Sequence, residues 1–208
     1  MTILNVISAM KGFFLLITVS LFFCSFGQKR VLFTGNTSSI CYTSKDPLVV
    51  ISEELPDSLL QFDVIFIFST ARSSLSKIQV EELIDYLNHG KGLYLGSENW
   101  PLQAESNQLT DVFYTKRSWG HFTEEKATVA DSGILSGFDT IHAGTSTVAF
   151  PLDYRLKVEA WIADEPLILS GEQYGGRIIL DGGYSRFYCA FKNEDSDLIL
   201  QKMIEYLD

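Results

Sequence analysis

The chain has 208 residues, 46% of them apolar and 20% charged. That is enough for one domain with a sizeable core, and no low-complexity segment or internal repeat interrupts it. Its formal net charge is −10; an acidic surface repels phosphate backbones and anionic lipid headgroups, which argues against nucleic acid as a partner.

The first residues stand apart. Lys11 precedes the apolar run "GFFLLITVSLFF", and "CSFGQKR" follows. A basic residue, an apolar stretch and small residues at Ser25 and Gly27 predict a signal peptide over residues 1–27, with Gln28 as the new N-terminus. The protein is then exported, periplasmic or extracellular, with no stable membrane span after processing. Two alternatives remain at this level. A membrane anchor needs about 20 apolar residues, more than Gly12 to Gly27 supplies. A lipoprotein would use Cys24, but Phe22 and Phe23 are bulky where small residues are usual. Loss of residues 1–27 removes Lys11 and no acid, so the mature chain is one charge more negative. It keeps Cys41 and Cys189, which predict either one disulfide in an oxidising compartment or two buried thiols.

From residue 28 the pattern is that of an α/β domain. "KRVLFTG" is a strand ending in glycine, and "TSSICYTSKD" is too short and polar for a full helix. "PLVVIS" is a second strand. "DVIFIF" (63–68) is apolar at consecutive positions, as a strand buried on both faces of a parallel sheet requires. Ser76 and Gln79 form a capping box, with Leu75 and Val80 at the staple positions. Val80, Leu83, Ile84 and Leu87 recur at helical spacing until Gly90. "GLYLG" is the next parallel strand, and "LQAESNQLTDVFYTK" a further helix. Residues 116–150 carry no clear period. Beyond Pro151, Leu156, Val158, Ala160 and Ile162 alternate as a strand. "PLILS" and "RIILDGG" flank a hairpin at "GEQYGG". A last helix has the stripe Leu200, Met203, Ile204 and Leu207, with Asn193 or Asp195 as its cap.

The phrases "FDVIFIFS", "QVEELIDYLNHGKGLYLGSENWP" and "YGGRIILDGGYSRFY" followed by "NEDSDLILQKMIEYL" resemble the class I glutamine amidotransferase-like superfamily over roughly residues 29–208. They look most like its non-amidotransferase branches, the trehalose-utilisation type and the domains of gliding-motility and intraflagellar-transport proteins. The resemblance implies a flavodoxin-like three-layer sandwich. Its central sheet would be mostly parallel, with an antiparallel β extension in the C-terminal half. True amidotransferases place a cysteine in a G-x-C-x-G elbow after the "GLYLG" strand. Here Glu98 holds the cysteine position and Trp100 that of the second glycine, and "LDGGYSRF" replaces the His-x-Glu pair. Glutamine hydrolysis by the family mechanism is therefore not expected.

Candidate pocket residues follow from this edge of the sheet: Ser97, Glu98, Asn99, Trp100, His121, Asp181, Tyr184 and Ser185. Ser97 is a nucleophile only if His121 or His142 reaches it; otherwise Ser97 and Asn99 hydrogen-bond the turn. Glu98 and Asp181 are a carboxylate pair of the kind glycoside hydrolysis uses, or two solvated acids. Trp100, Trp119, Tyr184 and Phe187 form an aromatic platform for a sugar, or pack the sheet end. With Trp100 covering that end, its truncation is expected to cost about 3 kcal/mol, against about 1 kcal/mol for the Ser97 hydroxyl. No histidine spacing suits a metal, and no glycine loop suits a phosphate, so no cofactor is expected. The sequence thus predicts an exported, non-catalytic domain that binds a small molecule, a carbohydrate or an envelope protein. The alternative is a hydrolase of carbohydrates or esters with a site of its own.

Overall fold

The computed structural model describes residues 28–42, 47–71, 75–114, 116–191 and 194–208. The expected signal peptide and the candidate cap Asn193 lie outside them. Five parallel strands run in the order β2-β1-β3-β4-β11, namely Leu48–Ser52, Arg30–Gly35, Val64–Phe68, Gly92–Gly96 and Gly176–Asp181. This is the 2-1-3-4-5 order of a flavodoxin-like sheet. The same sheet continues antiparallel through β10 (Glu165–Gln173), β9 (Leu156–Ile162), β6 (Lys126–Val129) and β7 (Thr140–His142). A separate ribbon pairs β5 (Trp119–Phe122) with β8 (Thr147–Ala149). These short strands occupy the stretch in which the sequence showed no period.

Helices cover both faces of the parallel strands. Alternate residues of each strand point to opposite sides, and two cores follow from that. Leu32, Ile65 and Leu95 face α1 (Lys77–Asn88) and α2 (Ala104–Phe113) through Leu83, Leu87 and Leu109. Val31, Phe66 and Tyr94 face α3 (Glu194–Leu207) through Leu200, Met203 and Ile204. Every residue of β3 and β4 is buried, as the unbroken apolar runs predict.

Local signals explain where the elements begin and end. The Ser76 hydroxyl accepts the Gln79 N–H at 3.2 Å, and the Gln79 side chain accepts the Ser76 N–H at 2.9 Å, so the capping box starts α1. The helix from "LQAESNQLTDVFYTK" is shorter than the sequence suggests, ending at Phe113. Asp195 lies inside α3 and does not cap it. The hairpin between β10 and β11 turns on two residues, Tyr174 and Gly175, with φ of 54° and 84°. Two successive left-handed residues match the strand twist, and a glycine suits the second.

After β1 the described chain, residues 36–42, makes no helix. It folds back onto the end of β11 instead: Ile40 bridges Tyr188, the Cys41 N–H reaches the Phe187 carbonyl at 3.0 Å, and the Cys189 N–H reaches that of Ser39 at 2.8 Å. Cys41 and Cys189 are joined by a disulfide across a sequence separation of 148. Closing so long a loop stabilises the fold by about 5 kcal/mol in the chain-entropy account. Thiol counting on unreduced, denatured protein is expected to find Cys41 and Cys189 both unreactive, and reduction is expected to lower the denaturation midpoint strongly. Alkylation of both without prior reduction would contradict the bridge.

Candidate functional site

The carboxyl ends of β4 and β11 lie side by side, with Gly96 paired to Asp181. The Ser97 N–H continues the ladder to the Asp181 carbonyl at 2.7 Å. Beyond β11, Gly182 can approach Val148 closely because it has no side chain: a Cβ there would stand 1.8 Å from the Val148 carbonyl oxygen. Gly183 then leads into a short 3-10 turn, Tyr184–Phe187, that lies over the end of β4. Its Ser185 N–H donates to Glu98 Oε1 at 2.7 Å, tying the loop after β4 to the loop after β11.

Asp181 is the centre of this arrangement. Its carboxylate accepts the Tyr94 hydroxyl (2.7 Å), the Gly183 N–H (2.9 Å) and Arg186 Nη1 (3.0 Å). Arg186 also donates through Nη2 to the Ala143 carbonyl at 2.8 Å, while its Nε has no hydrogen-bond partner among the described residues. Both members of the ion pair are sealed, Asp181 at 0% and Arg186 at 1% exposure. Burial and the adjacent Asp181 push the Tyr94 phenol well above its ordinary range, so it remains a donor.

A second set of bonds joins the remaining loops of the edge. The Ser97 hydroxyl pairs with that of Ser106 in α2, and the Ser106 N–H donates to Ser69 Oγ at 3.0 Å after β3. Tyr184 donates its hydroxyl hydrogen to the Ser69 carbonyl at 2.8 Å and accepts Asn36 Nδ2 at 2.9 Å. Ser185 Oγ accepts the Thr145 N–H at 2.8 Å.

Five of the candidate residues therefore converge: Ser97, Glu98, Asp181, Tyr184 and Ser185. They form a buried polar layer, with Glu98 at 2% and Ser97 at 0% exposure. The acids are not solvated, contrary to the simpler sequence reading, because the 3-10 turn roofs them. Burial raises the Glu98 carboxyl to about 7 against the opposing pull of its Ser185 hydrogen bonds and of Arg186, and Asp181 adds to the rise.

The other candidates do not join. Asn99 uses its N–H on the Ser146 carbonyl at 2.9 Å. His121 is exposed on β5, and no bond of the described residues links it to Ser97 or Glu98. His142 accepts the Gly144 N–H at 3.1 Å and stacks on Phe191 at 5.5 Å. The expected aromatic platform is split: Tyr184 and Phe187 are buried, while Trp119 and Trp100 are exposed. Trp100 stands at 81% exposure and does not cover the sheet end. That end is already filled by Tyr184, whose side-chain atoms would stand 3.0 Å from a Cβ built on Gly96.

Sequence reasoning missed Arg186, Tyr94 and Ser106. A usable signal was Arg186 itself, a single cation set between Tyr184 and Phe187 in an apolar segment. It also missed a cavity of about 360 Å³ at the carboxyl ends of β1 and β3, lined in part by Thr34, Gly35, Thr70 and Glu105. The strand order reverses there, which is where open α/β sheets bind ligands. Glu105 is buried beside it and accepts both the Thr70 N–H and hydroxyl at 2.7 Å. Among the described residues no group of three or more His, Cys, Asp or Glu is placed to hold a metal ion.

Two predictions concern this layer. In the unfolded chain Glu98 ionises near its ordinary 4.5, and in the fold near 7. Folding therefore favours the protonated form. The stability this confers is complete below about pH 4.5 and is lost as pH rises through about 7, a change of about 3 kcal/mol. Glu98→Gln is expected to flatten this part of the stability–pH curve; equal slopes in both proteins would refute the assignment. The second is a ranking. Ser97→Ala strands a buried hydroxyl and is expected to cost about 1–3 kcal/mol. Trp100→Ala is expected to stay within about 0.5 kcal/mol, since the ring is exposed. Denaturant melts read both, and the order is the reverse of the sequence expectation.

No family model and no curated protein matches the chain. Solved structures do. The cytoplasmic protein STM1381 from Salmonella typhimurium LT2 aligns with a TM-score of 0.65 at 13% identity, over 86% of this chain and 99% of that one. The mmIFT52 N-terminal domain aligns at 0.64 and 13%, over 85% and 96%. A ThuA-like protein from Bacteroides uniformis ATCC 8492 aligns at 0.57 and 9%, over 86% and 91%. At these identities the likeness is one of fold, and two of the three belong to the branches whose motifs the sequence resembles.

Proposed function

We propose that this chain is an exported, amidotransferase-like binding domain that has given up the chemistry of the elbow. The observation that carries the reading is the sealing of that elbow. Ser97, Glu98 and Asp181 are each at most 2% exposed, and their polar atoms are bonded to one another's loops. A nucleophile or general acid must meet its substrate within hydrogen-bond reach. The hydrolase reading needs Ser97 or Glu98 at a surface, and neither is at one. Binding must then use the openings around the sealed layer, with a small molecule, a carbohydrate or an envelope protein as the occupant.

Two features support export: the basic, apolar and small-residue sequence over residues 11–27, and a disulfide, which persists in oxidising compartments and is rare in the cytosol. Residues 28–208 would then be the working domain.

The test has two parts. A fluorophosphonate probe is expected to leave Ser97 unlabelled, and ester and glycoside substrates are expected to show no turnover; an adduct on Ser97 would overturn the non-catalytic reading. Intact-mass measurement of the secreted protein is expected to give a chain beginning at Gln28. A mass that retains residues 1–27, or a diacylglyceryl group on Cys24, would overturn the processing.

A further inference from the structure

Among the described residues, one half-buried face of α2 borders open space. Ala104, Asn107, Gln108 and Asp111 fall at i, i+3, i+4 and i+7, and they line an open groove of about 640 Å³ together with Trp100 and Arg117. The volume is in the range of small-ligand sites, about 300–1,000 Å³. Three properties of this groove point the same way.

The first is the indole. Trp100 is 81% exposed and makes no hydrogen bond or ring contact among the described residues. Its apolar face and its N–H are both available. The second is that the polar side chains around it are held in place. Gln108 is clamped to the Leu75 backbone, accepting its N–H at 2.8 Å and donating to its carbonyl at 2.7 Å. Asn107 donates to Gln103 Oε1 at 2.8 Å and accepts both the N–H and the hydroxyl of Ser118 at 2.9 Å. Each amide nitrogen keeps a second hydrogen for a ligand. Side chains fixed in advance lose little entropy on binding. The third is charge. Arg117 donates through Nε and Nη2 to Asp111 Oδ2, so the cation and the carboxylate of the groove neutralise each other on a chain of net charge −10.

A ligand that offers an apolar ring face, many hydroxyls and no charge matches this surface. We propose that the Trp100–α2 groove binds a neutral oligosaccharide, one pyranose stacking on the indole while neighbouring hydroxyls meet Asn107, Gln108 and the free Asp111 oxygen. A protein partner fits less well, because the apolar surface beside the indole is limited to the small side chains Ala71, Pro101, Ala104 and Val112, and the other lining residues are amides and an ion pair. The cavity at β1 and β3 fits a sugar less well too, because acids line it and no aromatic ring does.

This inference rests on the reading of the chain as a binding domain, and one experiment separates the two. Maltohexaose, cellohexaose and N-acetylchitohexaose are titrated into the full mature domain, with tryptophan fluorescence and calorimetry as readouts and reducing-end release as a control. At least one is expected to bind saturably. Trp100→Ala is expected to weaken that binding by about tenfold or more with an unchanged melting temperature, and Trp100→Tyr to recover part of it. No saturable binding of any of the three, or equal affinity in Trp100→Ala, would overturn the groove while leaving the binding-domain reading intact. Release of reducing ends from a bound oligosaccharide would overturn the non-catalytic reading while leaving the groove.

Discussion

A guanidinium at 1% exposure has to be compensated where it stands, and the carboxyl edge of this sheet is arranged around that demand. Removing an ion from water costs several kcal/mol even after relaxation, and only a well-placed counter-charge with further hydrogen bonds offsets it. Asp181 supplies the charge to Arg186, Ala143 a carbonyl, and Tyr94 and Gly183 complete the carboxylate. These partners come from β4, from the end of β7 and from the end of β11. The pair therefore fixes where the parallel and antiparallel halves of the sheet meet, and it holds the 3-10 turn down over β4. Deleting either partner would leave the other buried and unpaired, the costly half of such an arrangement.

The closed elbow follows from that constraint. With the turn held down, Glu98 has no route to solvent and takes the Ser185 N–H, and Ser97 pairs with Ser106. A carboxylate that titrates near 7 is the usual mark of a catalytic group. Here the largest cause of the rise is burial under the turn, against the pull of the Ser185 hydrogen bonds and of Arg186. The disulfide acts on the same roof from the far side. Cys189 follows the turn, and Cys41 lies in the described segment that follows β1, residues 36–42. Covalent, ionic and hydrogen-bonded ties thus converge on one edge, and all of them oppose opening.

Much of the fold was legible in the sequence because its signals are local. The apolar runs of β3 and β4, the capping box at Ser76 and Gln79 and the stripe of α3 each depend on residues a few positions apart. The strands β5 to β8 were not legible, since three or four residues are too few to show a period. At the site, the sequence brought together Ser97, Glu98, Asp181, Tyr184 and Ser185, because residues at adjacent strand ends must be neighbours. It could not show that Arg186 pairs with Asp181, or that Tyr184 takes the space into which Trp100 would otherwise fold. The first depends on how the 3-10 turn folds back over the end of β11, and the second on competition for one volume between segments more than 80 residues apart. The misreading of Trp100 has this origin: a large apolar side chain next to a sheet end is expected inside until another one is found there.

The division between sealed and open residues is itself informative. A buried indole removes about 150–250 Å² from water, which at about 25 cal/mol per Å² stabilises a fold by about 4–6 kcal/mol. Trp100 forgoes most of that, and nothing in the packing around it recovers the loss. Ser97 and Glu98, the third and second residues before it, are spent entirely on internal bonds. One short loop therefore carries side chains of opposite thermodynamic character. Its first half contributes to the edge of the sheet and is closed to ligands. Its second half is tied in through backbone bonds of Asn99 and presents its largest side chain to solvent, beside amides that the fold has already oriented. If the turn has a role besides stability, it lies at Trp100, while Ser97 and Glu98 are part of the frame that holds it.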